Sequence, residues 1–437
     1  MKRILFFCGL SLFLFSGRGR APLATASPDI AGALPNTALG QVNGAAFIKA
    51  GLSGKGVKIG IIDAGFFRAN ADSTLHRFFL PGNVPEVKDF IYPAGGKLYD
   101  KTSDMDWHGT QVWSLIGGKD VAGTNYGLAT DASFYLARTD DGAKEYAGEE
   151  ENFKQALSWL HSRGVRLVST SLGYTTGFDN PAEGHVPDDM NGRTTVISRA
   201  AEEAILRYDM IIVASAGNDG DNVWKTVSAP ADAKDVIAVG ATDEKRVKRD
   251  FSSEGPALPN CRKPDISCYN YTGGTSFSAP VITGIIACML QKDPRLTDAG
   301  IRSMLQRSGH LYPYGNSYEG YGVPDAARIL EMMDHPGHEG ITGKKIIATR
   351  DSVSLPFERG EKELVLFHKK DAWIVLKQDL VTIPGGPFVI VRPTGLTSTR
   401  LIVDDKIHSK YHTVDHPEKV ARTTVASGGR VFEIVWP

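Results

Sequence analysis

Apolar positions along the chain follow two regimes, and the change between them falls near residue 334. In the first, short unbroken apolar runs alternate with longer stretches of helical spacing. Val57, Ile59, Ile61 and Ile62 make residues 57–62 a nearly continuous β-branched run, the pattern of a strand buried on both faces of a parallel sheet. Similar runs at 133–137, 166–169, 210–214 and 236–239 predict four more strands. Helical patterns lie between them. Residues 149–163 place Phe153, Ala156, Leu157 and Leu160 on one face, and 194–208 predicts another helix. Val112, Leu115 and Ile116 put a helix start at His108, and Thr297 reads as the N-cap of a helix carrying Ile301, Met304 and Leu305. Residues 279–290 are apolar all round, as in a buried helix, and 42–52 predicts a short helix before the turn at 53–56. Alternation of this kind predicts an α/β fold with a mainly parallel sheet covered on both faces.

The second regime follows a polar linker at 334–343. Apolar runs at 364–367, 373–376, 388–391, 401–403 and 431–436, separated by Gly and Pro turns, predict a small all-β domain over 344–437 without visible site chemistry. His335, His338 and Glu339 carry metal-ligand chemistry, but a solvated linker is the plainer account, and no metal site is expected.

The N-terminus changes the picture of where the chain works. Met1, Lys2 and Arg3 precede an apolar run at 4–15 and then Ala24, Thr25 and Ala26, the three parts of a secretory signal over 1–26. The run is too short to remain as a membrane span. Residues 27–40, rich in Pro, Ala, Thr and Asn, read as a flexible mature N-terminus with no room for a folded pro-segment, which leaves 41–333 as the α/β domain. A secreted or periplasmic location follows. A net charge of −1 gives no reason to expect nucleic acid or an anionic membrane as a partner, and a soluble monomer is expected. Beyond the signal, Cys261 and Cys268 are close enough to bridge a loop, whereas Cys288 reads as a buried apolar residue.

Candidate chemistry gathers at three of the predicted boundaries. Ser276 stands between Gly273–Gly274 and the buried helix, where unpaired N–H groups can stabilise an oxyanion. A serine hydroxyl needs a base to attack a carbonyl, and imidazole accepts and returns the proton; His108 supplies one. Asp63, after the first strand, sits at the edge where ligands of parallel sheets gather, and can orient that imidazole. Singly, each has a plainer reading: a loop serine, a capping histidine, a turn aspartate.

Four separated motifs make the set specific. They are Ile61-Ile62-Asp63-Ala64-Gly65, His108-Gly109-Thr110-Gln111-Val112, Ala216-Gly217-Asn218 and Gly274-Thr275-Ser276-Phe277-Ser278-Ala279-Pro280. On them, and on Tyr321-Gly322-Val323-Pro324-Asp325-Ala326, the chain resembles the subtilisin-like serine proteases from about residue 41 to 333. The order Asp, His, Ser is that of subtilisin. The resemblance implies a three-layer catalytic domain, a triad of Asp63, His108 and Ser276, and Asn218 as the side-chain donor of the oxyanion hole.

It further implies that substrate lies along 138–142 and Ser171-Leu172-Gly173, with Ala216 and Gly217 as a pocket wall and Ser228 near its floor. An apolar or large uncharged residue before the cut is then expected. Glu145, Glu149, Glu150 and Glu151 read as a solvated helix N-terminus, although they would also favour basic residues in neighbouring subsites. The chain departs from the pattern at Ala64, where Ser or Thr is common, and in a short loop between Cys268 and Gly273. No cofactor is required by this chemistry; calcium is common in the family, so the resemblance leaves a structural calcium open, but no acidic loop here matches its sites securely. The expected function is an exported endopeptidase acting on polypeptides. The rival reading is a catalytically silent binding or adhesion protein that keeps the fold.

Overall fold

The computed structural model describes residues 34–437 apart from 96–97, 257–261, 270–272, 338–340, 358–362, 384–385, 394–397, 404–405, 412–418 and 428. The expected signal segment at 1–26, residues 27–33, His338, Glu339 and Cys261 lie outside the described residues. In chain order the first part contains α1 (Leu34–Gln41), α2 (Ala45–Lys49), β1 (Lys58–Asp63), β2 (Glu86–Asp89), α3 (His108–Gly117), β3 (Ser133–Arg138), α4 (Gly148–Ser162) and β4 (Leu167–Thr170). It continues with α5 (Val196–Tyr208), β5 (Ile211–Ser215), β6 (Ile237–Thr242), β7 (Ile266–Tyr269), α6 (Ala279–Lys292), α7 (Asp298–Ser308) and α8 (Ala326–Asp334).

The seven strands form one sheet in the order β2-β3-β1-β4-β5-β6-β7, and every pairing in it is parallel. Side chains of a strand alternate between faces, and here both faces are apolar. Ile211 and Val213 join Ile59, Ile61 and helices α3 and α6 on one side, while Ile212 and Ala214 join Ile62, Val168 and helices α4 and α5 on the other. This is why the strands read as unbroken apolar runs. The order also fixes where a site forms. β1 has β3 on one side and β4 on the other, so the chain leaves it in both directions and a crevice opens at its carboxyl end.

Three expectations are corrected. Residues 34–40 are not a flexible tail: α1 begins at Leu34, and Ala38 and Leu39 are buried in the core. Its apolar stripe is too short to stand out among Pro, Asn and Thr. The helix expected over 42–52 is confined to Ala45–Lys49. Cys268 is a free thiol buried at β7, with Sγ 3.3 Å from the Ser278 carbonyl, so the proposed bridge to Cys261 is not formed. β2 escaped notice because Glu86-Val87-Lys88-Asp89 is a polar edge strand with little burial.

The remaining strands are β8 (Lys344–Ile347), β9 (Ser352–Leu355), β10 (Glu363–Lys369), β11 (Val375–Thr382), β12 (Phe388–Val391), β13 (Ser398–Val403), β14 (Lys406–Tyr411), β15 (Arg422–Ser427) and β16 (Arg430–Val435). They make a five-stranded sheet, β11-β10-β15-β16-β8, and a four-stranded one, β14-β13-β12-β9. A cluster including Leu355, Phe357, Leu364, Leu366, Phe388, Ile390 and Phe432 is their core. A second, smaller cluster joins Leu311 to Val365, Phe367 and Val375, so these strands pack on the α/β part.

Candidate active site

Asp63 ends β1 and His108 begins α3. They meet because Gly109 admits a close approach: its N–H donates to the Gly65 carbonyl at 3.0 Å, and a Cβ at residue 109 would lie only 2.4 Å from that oxygen. The helix start is thereby docked on the loop leaving β1. His108 Nδ1 lies 2.8 Å from Asp63 Oδ1, and both residues are buried. A carboxylate at Nδ1 makes that nitrogen the donor and leaves Nε2 as the basic position. Burial opposes protonation of the ring, but the charge and hydrogen bond of Asp63, with Asp140 adding to them, outweigh it and hold His108 above the ordinary histidine value. Asp63 Oδ1 also accepts the Ala64 N–H, whereas Oδ2 is buried without a partner among the described residues. Ala64 has no hydroxyl to offer it.

Ser276 lies in a single 3-10 turn, Thr275–Phe277, just before α6 rather than in the helix's own first turn. Its Oγ donates to the Ser171 carbonyl at 3.2 Å, and Ser171 Oγ donates back to the Ser276 carbonyl at 2.9 Å. The turn packs against the histidine: the Phe277 ring is 5.4 Å from that of His108 and stacks on Trp107. The hydroxyl's hydrogen bond thus goes to Ser171, not to the imidazole.

Asn218 is fixed from the serine side. The Thr275 N–H and hydroxyl both donate to its Oδ1, at 2.8 and 3.0 Å, and its Nδ2 makes no hydrogen bond among the described residues. An amide pinned by its oxygen directs its N–H groups elsewhere. Gly217 before it has φ +112°, and a Cβ there would stand 2.7 Å from Ser253 Oγ, so only glycine suits this turn.

The residues expected on the substrate side also converge. Ser228 is fully buried, its N–H donates to the Ala216 carbonyl, and its Oγ has no hydrogen-bond partner among the described residues. Gly173 and Gly217 both abut that hydroxyl. Tyr174 and Ala229 form a β-bridge that ties the 171–174 segment to the loop carrying Ser228, and Leu172 is buried. Arg138, by contrast, has a buried side chain, bonded to Thr102 and Leu98 and paired with Asp89 at 3.6 Å.

Several residues of this region were not singled out from sequence. Thr275, which holds Asn218, and Asp140, two residues past β3 on the sheet edge that bears Asp63, are the main ones. Asp140 follows from the rule that led to Asp63, applied to the neighbouring strand. It accepts hydrogen bonds from Thr139 Oγ1 (2.5 Å) and from the Tyr174 hydroxyl.

The glutamates after it are not a solvated helix start. Glu149 and Glu150 are buried and only Glu151 of the three in the first turn of α4 is exposed. Glu150 accepts the Ile197 N–H and pairs with His185 at 3.1 Å; Glu149 accepts the Asp141 N–H through Oε1, while Oε2 has no partner among the described residues. Burial, then the charges of Asp140 and Asp179, pushes Glu145 up to about 8. Burial, then Asp140 and Glu145, raises Glu149 strongly, and burial raises Asp140 against the hydrogen bonds from Thr139 and Tyr174.

These shifts link stability to pH. A carboxyl whose folded pKa lies above its unfolded value stabilises the fold fully below the unfolded pKa, near ~4.3 for glutamate, and that stability is lost as pH rises through the folded pKa. The window here runs from the ordinary carboxylate range up through about 8. The chain is therefore expected to unfold at a lower temperature at pH 8 than at pH 5. Glu149→Gln keeps an acceptor for the Asp141 N–H, and is expected to add on the order of 2 kcal/mol at pH 8 and little at pH 5. Thermal unfolding at the two pH values checks this, and an undiminished pH dependence in the variant would refute it.

Comparison with known proteins places this geometry. The subtilase family model matches residues 54–323, more than half of the chain. Minor extracellular protease Epr of Bacillus subtilis is 28% identical over 270 residues, covering 60% of this chain but only 36% of that protein. Subtilisin DY of Bacillus licheniformis is 27% identical over 278 residues, 61% of this chain and 89% of its own length. Among solved structures, the Clostridium perfringens CspB protease matches with a TM-score of 0.53 at 15% identity, over 68% of this chain and 99% of its own. MycP3 protease from the type VII (ESX-3) secretion system matches with 0.51 at 20% identity, over 69% and 90%. These structural likenesses bear on the fold. With its parallel sheet, its ordered motifs and a family match over most of the α/β part, the chain belongs to the subtilase family of serine peptidases.

Proposed function

We propose that the chain is an exported serine endopeptidase that cleaves polypeptides through an acyl-enzyme on Ser276. The observation that carries this reading is the gathering of Asp63, His108, Ser276 and Asn218 at the carboxyl edge of one sheet, each held by its own local contacts. His108 Nε2 takes the Ser276 proton as Oγ attacks the scissile carbonyl, and returns it to the leaving amine. Asp63 keeps the ring in the required tautomer and stabilises its charged form. Asn218 Nδ2 donates to the developing oxyanion, together with the backbone N–H of Ser276. Water then repeats the sequence on the ester. The bond from Ser276 Oγ to Ser171 does not oppose this assignment, since catalytic hydrogen bonds often tighten only in the substrate complex.

Ser171, Leu172, Gly173, Ala216, Gly217 and Ser228 form the pocket for the residue before the cut. Its buried end is the neutral Ser228 hydroxyl, which supports an apolar or uncharged side chain there. No cofactor enters these steps, and among the described residues no group of His, Cys, Asp and Glu is arranged to hold a metal ion. No helix among the described residues is long and apolar enough to cross a membrane. Cleavage of a peptide library tests the reading: internal cuts after apolar or uncharged residues are expected, and cuts concentrated after Lys or Arg would contradict the pocket assignment.

The acid side of the pH profile offers a further check. Only neutral His108 can act as base, and its pKa is held up by Asp63 and by Asp140. The rate, kcat/KM, is expected to fall as pH drops through a value above ordinary histidine. Asp140→Asn, which removes one of those charges, should move the fall to lower pH while leaving activity at high pH nearly intact. A profile that does not move would exclude Asp140 as a tuning group.

A further inference from the structure

Away from the cleft, a cavity of about 510 Å³ opens where the α/β part meets the C-terminal strands, lined by Gln41, Arg246, His310, Glu363 and Arg430 among others. His310 is only 6% exposed. Its Nδ1 accepts the Val323 N–H at 2.9 Å, so in the neutral ring the hydrogen sits on Nε2. That Nε2–H has no hydrogen-bond partner among the described residues. The nearest acidic oxygen is Glu319 Oε2 at 4.0 Å, itself unpartnered. Burial pushes Glu319 up to about 8.

Arg246 is the second anomaly. Its guanidinium makes no hydrogen bond or ion pair among the described residues; burial and the nearby charge of Arg328 disfavour its cation more than the carboxyl groups of Asp325 and Glu319 favour it. Other charges around the cavity are satisfied. Lys245 pairs with Glu363 at 2.6 Å, and Arg430 donates to the Pro356 carbonyl and lies over the Phe357 ring. Arg328 donates to the Ser308 carbonyl, and Asp325 accepts the Arg328 N–H as the cap of α8. Glu244, the other carboxylate at the cavity, is exposed. What remains is a half-buried guanidinium and a buried imidazole with an unpaired N–H, both on residues that line one cavity, with a second guanidinium close enough to repel the first. Unpaired buried donors and cations are costly, and two-oxygen anions satisfy guanidinium groups best.

We propose that this junction is a binding site for a small multivalent oxyanion of the phosphate type, held by the Arg246 guanidinium and the His310 Nε2–H. Because the site lies between the two parts of the chain, its occupancy stabilises their packing, whether or not Ser276 is a nucleophile.

The test is titration of the full chain with inorganic phosphate, with sodium chloride holding ionic strength constant. Calorimetry is expected to show saturable binding with Kd in the millimolar range or tighter, and about 10-fold weaker binding in Arg246→Asn. Asparagine tolerates the left-handed backbone found at this position, φ 61°. In the unaltered chain labelled with ¹⁵N-histidine, the His310 Nε2 resonance should move along the same saturation curve. This second readout needs no variant to fold. Absence of saturable binding, an unmoved His310 signal, or equal affinity in a folded Arg246→Asn chain would each overturn the proposal.

Discussion

Ser276→Ala is expected to lower the turnover of a peptide substrate by about 10⁶-fold, the magnitude known for loss of the nucleophile in subtilisin itself. The size follows from the role. Without Oγ there is no acyl-enzyme, and neither the histidine nor the oxyanion donors can replace the missing bond. A residue of about 10³- to 10⁴-fold over the uncatalysed reaction should survive, from the oxyanion hole and substrate positioning. Folding should change little, since the lost hydroxyl makes one side-chain hydrogen bond, to the Ser171 carbonyl, while the reciprocal bond from Ser171 to the Ser276 carbonyl remains. Steady-state rates read beside thermal unfolding separate the two: a loss of rate matched by a loss of fold would count against a chemical role.

Asp63→Asn is expected to cost about 10⁴-fold in kcat. The amide is nearly the same shape as the carboxylate, and α3 should stay docked through the Gly109–Gly65 contact. What changes is the proton. Where Asp63 Oδ1 now faces His108 Nδ1 at 2.8 Å, an amide N–H turned toward the ring favours the tautomer with its hydrogen on Nε2. The nitrogen facing the nucleophile is then no longer basic. Loss of the carboxylate also removes the charge that holds His108 up, so the residual activity should show its acid fall at lower pH. A variant that retained more than about a tenth of the activity would mean that His108 is not oriented through this bond.

The sheet and its functional edge were legible because burial on both faces leaves a run such as Val57 to Ile62 little room for polar residues. The four motifs were legible for a related reason. Gly109 and Gly217 sit where a side chain has no space, and each lies directly beside a residue of the proposed chemistry. Pairings across the chain were not legible. Nothing local to Glu149 says that its first-turn carboxylate turns inward, because helix spacing and charge describe a solvated N-terminus equally well; only the arrival of Asp140 and Tyr174 from other segments makes it a buried cluster. α1 was missed because its burial depends on the core that it meets, and not on its own composition. The same holds for β15, whose Thr423 and Thr424 are buried despite their polarity, whereas β2 is a polar edge strand with no apolar run to mark it. The junction cavity is the extreme case, since Arg246, His310 and Glu363 are brought together from three distant stretches.

One measurement addresses the nucleophile directly. Folded protein is treated with a fluorophosphonate at neutral pH, digested, and mapped by mass spectrometry. A single adduct on Ser276 is predicted, absent from Ser276→Ala and strongly slowed in a His108→Ala chain, because the probe reports an activated hydroxyl rather than a merely accessible one. An unlabelled Ser276 in folded protein, or labelling that persists undiminished in Ser276→Ala, would contradict the account.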